Sequence, residues 1–368
     1  MECNKFRNPS PPDVRKLDGD WYSRPAVGKL DGDWHSRIGE TIGKYKIVSK
    51  LGKGGNGIVY EVTDNESKNS YAMKISIKDF CGKYGRQMAK EIEVLKKIEY
   101  CDYKNKAPIL KLKDYFEHDG KLYLIFPLMG ETIEKVLYNS NFGYFERYQI
   151  QQIGYQIFQA LSFMHYNGII HTDLKNDNIM FTSSKTDYKY DNNAGGFITH
   201  KTNNEIRIID VGLARFDNED RNVEISNDYC QAPEILLDYG YGTRSDIWAV
   251  GVVLFEMWSG KVLFDYESRK TRLMIMEKVL GPAPVEFAKH NETFYRNGYL
   301  DVNPFLQQDI NSQFSPLEMY KGLDGYQDEE FISLMRCIWE WDPVYRPIAA
   351  TLMRHSFFKG MGDIYGYE

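Results

Sequence analysis

Three short segments hold side chains that together suit one chemistry. His171-Thr-Asp173-Leu-Lys175-Asn-Asp177-Asn178 gathers two acids, a lysine and an amide in a single stretch. Further along, Ile209-Asp210-Val211-Gly212 sets an acid between an apolar run and a glycine. Nearer the start, Ala72-Met-Lys74-Ile75 puts a lysine in a strand-like run, downstream of the glycine cluster Gly52-Lys-Gly54-Gly-Asn-Gly57-Ile-Val59. Phosphoryl transfer needs such parts: cations against phosphates, oxygen ligands for Mg²⁺, and a carboxylate to take the proton of the attacking hydroxyl. Singly, each has a plain alternative as a surface lysine, a core histidine or a capping aspartate. Their occurrence in this order is what chance does not supply. The glycine cluster fits GxGxxGxV, a spacing also used by dinucleotide-binding loops, but those run directly into a helix. Here Ile58-Val-Tyr-Glu-Val62 follows and reads as strand. The glycines therefore read as the turn of a hairpin whose backbone N–H groups close over phosphates.

The elements that must position these residues follow from periodicity. Tyr45-Lys-Ile-Val-Ser49 and residues 58–62 flank the glycines as paired strands, and residues 71–77 form a third. Residues 86–99 switch to helical spacing, with Met88, Ile92, Leu95 and Ile98 on one face. Residues 122–126 return to strand. After Gly130 helices dominate. Ile150, Ile153, Ile157, Leu161 and Met164 make a helical stripe that Asn167-Gly168 ends. Residues 245–258 are apolar on nearly every side, which predicts a buried helix. Residues 183–205 are polar and are expected to form a loop. The chain is thus expected to be α+β, with a small sheet-rich lobe over 45–129, a larger helical lobe over 130–358 and a tail over 359–368. Ligands favour clefts between such lobes. Residues 1–40 differ in character and contain a duplication, Lys16-Leu-Asp-Gly-Asp-Trp21 and Lys29-Leu-Asp-Gly-Asp-Trp34. Two copies are too few for a solenoid. A small extension packed on the main body is expected, with a partner-binding peptide as the alternative.

Composition sets bounds. Lys and Arg total 46 against 52 Asp and Glu in 368 residues, a net charge of −6, so no direct nucleic-acid binding is expected. The start is polar and holds prolines, so no secretory signal is expected there. The longest apolar stretch, 247–258, includes Glu256 and is too short to span a bilayer. No membrane attachment is expected. Five cysteines lie far apart without metal-type spacing, which fits a reducing compartment.

In these motifs and their order, residues 45–358 resemble a eukaryotic protein kinase. The resemblance implies the two-lobed kinase fold, ATP and Mg²⁺ as cofactors, and protein substrates. It implies that Lys74 holds the α- and β-phosphates and pairs with Glu91, that Asp173 is the catalytic base, and that Lys175 contacts the γ-phosphate. Asn178 and Asp210 would bind Mg²⁺. Leu51, Gly52, Gly54, Gly57, Val59 and Ala72 would line the nucleotide site. Phe126 would be its gatekeeper, and Pro127 and Met129 would meet the adenine. Glu234, in Ala232-Pro-Glu234, would pair with Arg346, and Asp246 would anchor the catalytic loop.

Residues 271–278, Thr-Arg-Leu-Met-Ile-Met-Glu-Lys, resemble the signature helix of the LAMMER (CDC-like) kinases of the CMGC group, and Leu280-Gly281-Pro282 follows as it does there. Leu273, Met276 and Glu277 match the signature; Met274, Ile275 and Lys278 depart from it. Thr172, where most kinases carry arginine, is shared with LAMMER and SR-protein kinases. Phe116-Glu-His118, the insertion before Asp210, and the lead-in through Asp31-Gly-Asp-Trp34 and Tyr45-Lys-Ile47 fit as well. The resemblance implies phosphorylation of serine or threonine, with tyrosine as a second acceptor. It also implies Arg/Ser-rich splicing factors as substrates, a monomer, and a nuclear location, with cytoplasm as the alternative because no import signal is seen. An SR-protein-kinase-like enzyme and a non-catalytic pseudokinase scaffold are the competing readings. The latter is prompted by Val211 in place of the usual phenylalanine and by Asn227 in place of the usual threonine. Thr172 further implies that activity does not require phosphorylation within residues 213–231, where Ser226 and Tyr229 are the hydroxyl acceptors.

Overall fold

The computed structural model describes residues 37–53, 57–76, 83–138, 144–191, 196–219 and 229–365; for 83–85, 186–191 and 196–200 it gives backbone alone. The duplicated segment, Gly54, Ser226 and Asn227 lie outside the described residues. Two compact units emerge: one from the described residues of Met1–Lys106 and Leu110–Leu128, the other from those of Ala107–Ile109 and Met129–Glu368.

The first unit is built on a six-stranded antiparallel sheet. Its strands are β1 (Thr41–Ile42), β2 (Tyr45–Lys53), β3 (Gly57–Asp64), β4 (Ser70–Ser76), β5 (Asp114–His118) and β6 (Lys121–Pro127), in the order β1-β2-β3-β4-β6-β5. Strict alternation decides its faces. Ile58, Tyr60 and Val62 of β3 join Met73 and Ile75 of β4 and Tyr123 and Ile125 of β6 in one apolar cluster. Phe116 of β5 stacks on Tyr123 with ring centroids 5.1 Å apart and on Tyr45 at 6.0 Å, which closes the cluster at its edge. Helix α1 (Lys83–Cys101) buries Met88, Ile92, Leu95 and Ile98, the stripe expected from the sequence.

The second unit is largely helical. It begins with α2 (Ile133–Leu137) and α3 (Arg147–Tyr166), whose stripe of Ile150, Ile153, Ile157, Leu161 and Met164 is buried. Gly168, just past the end of α3, has φ +67°, which glycine adopts without steric cost. Short strands β7 (Ile169–Ile170) and β8 (Ile179–Phe181) flank the segment 171–178. Residues 183–205 are not a loop. They contain β9 (Thr186–Asp191) and β10 (Gly196–Lys201), paired antiparallel from Thr186 opposite Lys201 to Asp191 opposite Gly196. Their net polarity hides a run of β-formers, including Tyr188, Tyr190, Phe197, Ile198 and Thr199, and pairing satisfies the backbone whatever the side-chain polarity. Strand β11 (Ile206–Ile208) then pairs with β8, and β12 (Arg215–Phe216) with β7.

Helix α4 (Pro233–Leu236) precedes α5 (Thr243–Ser259), in which every residue from Ser245 to Ser259 is buried. Gly251 lets Trp339 lie against this helix, since a Cβ there would fall 2.4 Å from the indole nitrogen. Helix α6 (Arg269–Leu280) carries the signature residues. Its Glu277 accepts from the N–H of Ala283 at 3.3 Å, so the turn after the helix is closed by a signature side chain. No helix among the described residues is long and apolar enough to cross a membrane.

Candidate active site

The first unit places Lys74 centrally on the sheet. Nζ lies 2.9 Å from Glu91 Oε1 and 2.8 Å from Oε2, with both residues buried. The pairing register explains why Lys74 does not enter the apolar core. Val59 stands opposite Lys74, Gly52 opposite Val59, and Phe126 opposite Ala72. Residues directly opposite share a face, so these five occupy the face away from Tyr60, Met73 and Ile75. Five of the residues expected to line a nucleotide site are thereby brought onto one surface. Gly57 admits nothing larger, because a Cβ would meet the carbonyl of Ile75 at 2.8 Å. Leu51, beside Gly52, is exposed. Pro127 ends β6 and has no N–H to give, so its carbonyl is its only backbone hydrogen-bonding group.

The second unit holds the acids. Buried Asp246 of α5 organises the segment that carries Asp173. Its Oδ2 accepts from the N–H of His171 at 2.8 Å, its Oδ1 from the N–H of Thr172 at 2.9 Å, and His165 Nε2 lies 2.8 Å from Oδ2. These bonds hold Thr172 at φ +66°, a strained conformation for a β-branched residue. Thr172 Oγ1 donates to the carbonyl of Leu213 at 2.8 Å, joining the segment 171–178 to the residues after Asp210. Asp173 Oδ2 accepts from Asn178 Nδ2 at 3.0 Å, and Oδ1 lies 3.5 Å from Lys175 Nζ. Asn178 Nδ2 also donates to the carbonyl of Asp173 at 2.7 Å. The amide nitrogen is thus spent on Asp173, which leaves the amide oxygen as the Asn178 side-chain atom of the right type for a cation. Asp210 takes φ +52°, and its Oδ1 accepts from the N–H of Gly212 at 3.2 Å. One carboxylate and one amide oxygen suit Mg²⁺, which prefers hard oxygens and fills its remaining positions from water and phosphate. Val211 is buried.

The proximity of two further acids to the segment 171–178 was not visible in the sequence. Glu134 of α2 hydrogen-bonds the carboxyl of Asp177, and that contact, with burial and the Asp177 charge, raises the Glu134 carboxyl to about 7. Glu256 of α5 accepts from Asn176 Nδ2 at 2.6 Å and from the Tyr138 hydroxyl at 2.8 Å. Burial pushes its carboxyl up, while those two donors pull it back. Asn176 thus serves a buried carboxylate. Glu234 and Arg346 form the expected pair, with Nη1–Oε1 2.8 Å and Nη2–Oε2 3.0 Å.

A protein-family profile described as "Protein kinase domain" matches residues 45–358. The chain is 31% identical over 88% of its length to "Probable dual specificity protein kinase madd-3" of Caenorhabditis elegans. It is 30% identical over 86% of its length to human "Dual specificity protein kinase CLK2". It takes in 36% of the first of these proteins and 64% of the second, less than two thirds of either. The crystal structure of the PF14_0431 kinase domain superposes with a TM-score of 0.76 at 24% identity, over 88% of this chain and 99% of that one, and shows the fold to be the two-lobed α+β kinase fold. The two relatives named are described as dual specificity protein kinases, and the chain belongs to the protein kinase family.

Proposed function

We propose that the chain transfers the γ-phosphate of ATP to serine or threonine hydroxyls of proteins, with tyrosine as a second acceptor and Arg/Ser-rich segments preferred. The observation that carries the proposal is the Asp173 carboxylate held by Asn178 beside Lys175. In this reading Asp173 accepts the proton of the attacking hydroxyl. Lys175 offsets charge on the γ-phosphoryl oxygens, and Lys74, oriented by Glu91, takes the α- and β-phosphates. Asn178 and Asp210 hold Mg²⁺, which neutralises phosphate charge when bound. Gly52, Gly54 and Gly57 allow backbone N–H groups close to the phosphates, with Leu51, Val59, Ala72, Phe126, Pro127 and Met129 around the base.

The preference for arginine rests on charge. Glu134 and Asp177 lie together at the catalytic segment, and Asp177 is exposed. A guanidinium can bridge two such carboxylates in place of the shared proton. The Thr172 link to Leu213 supports activity that does not wait on phosphorylation of the segment after Asp210. A nuclear role on splicing factors extends this reading by family likeness.

The test is transfer of labelled phosphate from ATP and Mg²⁺ to an Arg/Ser peptide and to an acidic peptide, at low and high salt. The Arg/Ser peptide should win, by a margin that shrinks with salt. Asp173→Asn should cost roughly 10²- to 10⁴-fold in rate. Equal transfer by Asp173→Asn would sink the catalytic assignment, and preference for the acidic peptide would sink the substrate assignment. Phosphatase pretreatment should leave the rate unchanged.

A further inference from the structure

The residues immediately after Met129 are tied to the inserted β9–β10 pair by an ion pair with one sealed end. Lys201, the last residue of β10, has a fully buried side chain at 0% exposure, whereas that of Glu131 is 38% exposed. Lys201 Nζ lies 2.6 Å from Glu131 Oε2 and 5.1 Å from the centroid of the Phe181 ring. The Lys201 carbonyl accepts from Gln149 Nε2 at 3.2 Å, which fixes the backbone end of the same residue to α3. Backbone bonds hold the other side. The N–H of Gly130 donates to the carbonyl of Phe181 at 2.8 Å, and the N–H of Phe181 donates to the carbonyl of Glu131 at 2.9 Å. Gly130 lies so close to residue 183 that a Cβ would fall 2.6 Å from the Ser183 carbonyl oxygen.

Stability alone does not account for this lysine. Sealing an ammonium from water is costly, and an unbranched apolar side chain would fill the same channel without that cost. A buried ion pair does supply a fixed distance and direction, and here it fixes Glu131, two residues beyond Met129, relative to β10. We propose that Lys201 is a positioning residue for the nucleotide: through Glu131 it holds the backbone of Met129 in register, so that the inserted strand pair helps to set the affinity for ATP. This rests on the reading of the chain as an ATP-dependent kinase with Met129 at the adenine.

The test uses the full chain and the variants Lys201→Met, Glu131→Gln and the double variant. Lys201→Met keeps an unbranched buried side chain, one atom shorter, and leaves a carboxylate that water can reach, so it is expected to fold. Glu131→Gln keeps an acceptor oxygen for the lysine and serves as the second route to the same question. Nucleotide affinity is read from the shift in melting temperature with ATP and Mg²⁺ concentration. KM for ATP, KM for peptide and kcat are read by phosphate transfer. Each single variant should weaken ATP roughly three- to tenfold in both Kd and KM, with kcat at saturating ATP and peptide KM within about twofold, and the double variant should be no worse than the singles. A folded single variant that binds ATP as the wild type does, even with a lowered melting temperature, overturns the proposal alone. So do additive losses in the double variant. A folded wild type that binds no ATP overturns the kinase reading and this proposal with it.

Discussion

Glu234 and Glu134 sit in the same unit and meet opposite fates. Glu234 is sealed, and its oxygens are matched by Arg346 Nη1 and Nη2 and by the Ser245 hydroxyl at 2.9 Å. Arg346 is itself saturated: its remaining N–H groups go to the carbonyls of Arg244 and Glu340, and its guanidinium carbon lies 5.2 Å from the Trp248 ring centroid. Glu134 has another acid as its partner. The Asp177 contact and burial raise the Glu134 carboxyl, where the Glu234 carboxylate is held by a cation. A charge satisfied within the chain fixes the chain, whereas a carboxyl pair at the edge of the catalytic segment offers its charge to something else. The first is therefore read through stability and the second through substrate.

The largest effect should come from the saturated pair. Arg346→Met leaves Glu234 buried without a counter-charge, at a cost of about 3–5 kcal/mol. Thermal or denaturant unfolding of the variant would measure it. A loss below about 1 kcal/mol would mean that water or Ser245 can stand in for the guanidinium, and the contrast with Glu134 would fail.

The two regions also differ in how legible they are. The Glu234–Arg346 and Lys74–Glu91 pairs were foreseen through the resemblance of residues 45–358 to protein kinases. The strands β2, β3 and β4 and the stripes of α1 and α3 followed from residue pattern and spacing. The β9–β10 pair was missed because its average polarity outweighs its pattern of β-formers, and a polar residue such as Lys201 gives no sign of burial until its carboxylate is placed against it. The Glu134–Asp177 contact was likewise hidden. It joins the short helix α2 to the segment 171–178, and such proximity is created by the fold alone. Glu256, inside an otherwise apolar helix, looked like an interruption. Only Tyr138 and Asn176 show why it is tolerated.

A smaller effect should separate the acids of the patch. Glu134→Gln removes one charge that a substrate arginine would meet, and the partly exposed geometry limits the change in KM for an Arg/Ser peptide to roughly fivefold. Asp177→Asn should act in the same direction, and both effects should fade with salt while KM for ATP stays constant. A variant that raises KM for ATP instead would place these acids at the nucleotide rather than at the peptide.

The smallest effect is a pH dependence whose sign follows from Glu134. Its carboxyl titrates near 7 in the folded chain and near 4.5 when free, so the folded state binds the extra proton between those values. Stability contributed by this group is therefore present at low pH and declines as pH rises towards 7, because ionisation sets two carboxylates side by side. Recognition runs the other way, since the ionised pair attracts a guanidinium better than the pair that shares a proton. Between pH 6 and 8, KM for an Arg/Ser peptide should fall by about twofold to threefold in the wild type, and this trend should be absent in Glu134→Gln. The melting temperature of the wild type, compared with that variant, should drift down over the same interval. Parallel profiles for the two proteins would show that the carboxyl pair does not titrate in this range, and the distinction between a charge held by a cation and one held by a proton would lose its functional meaning.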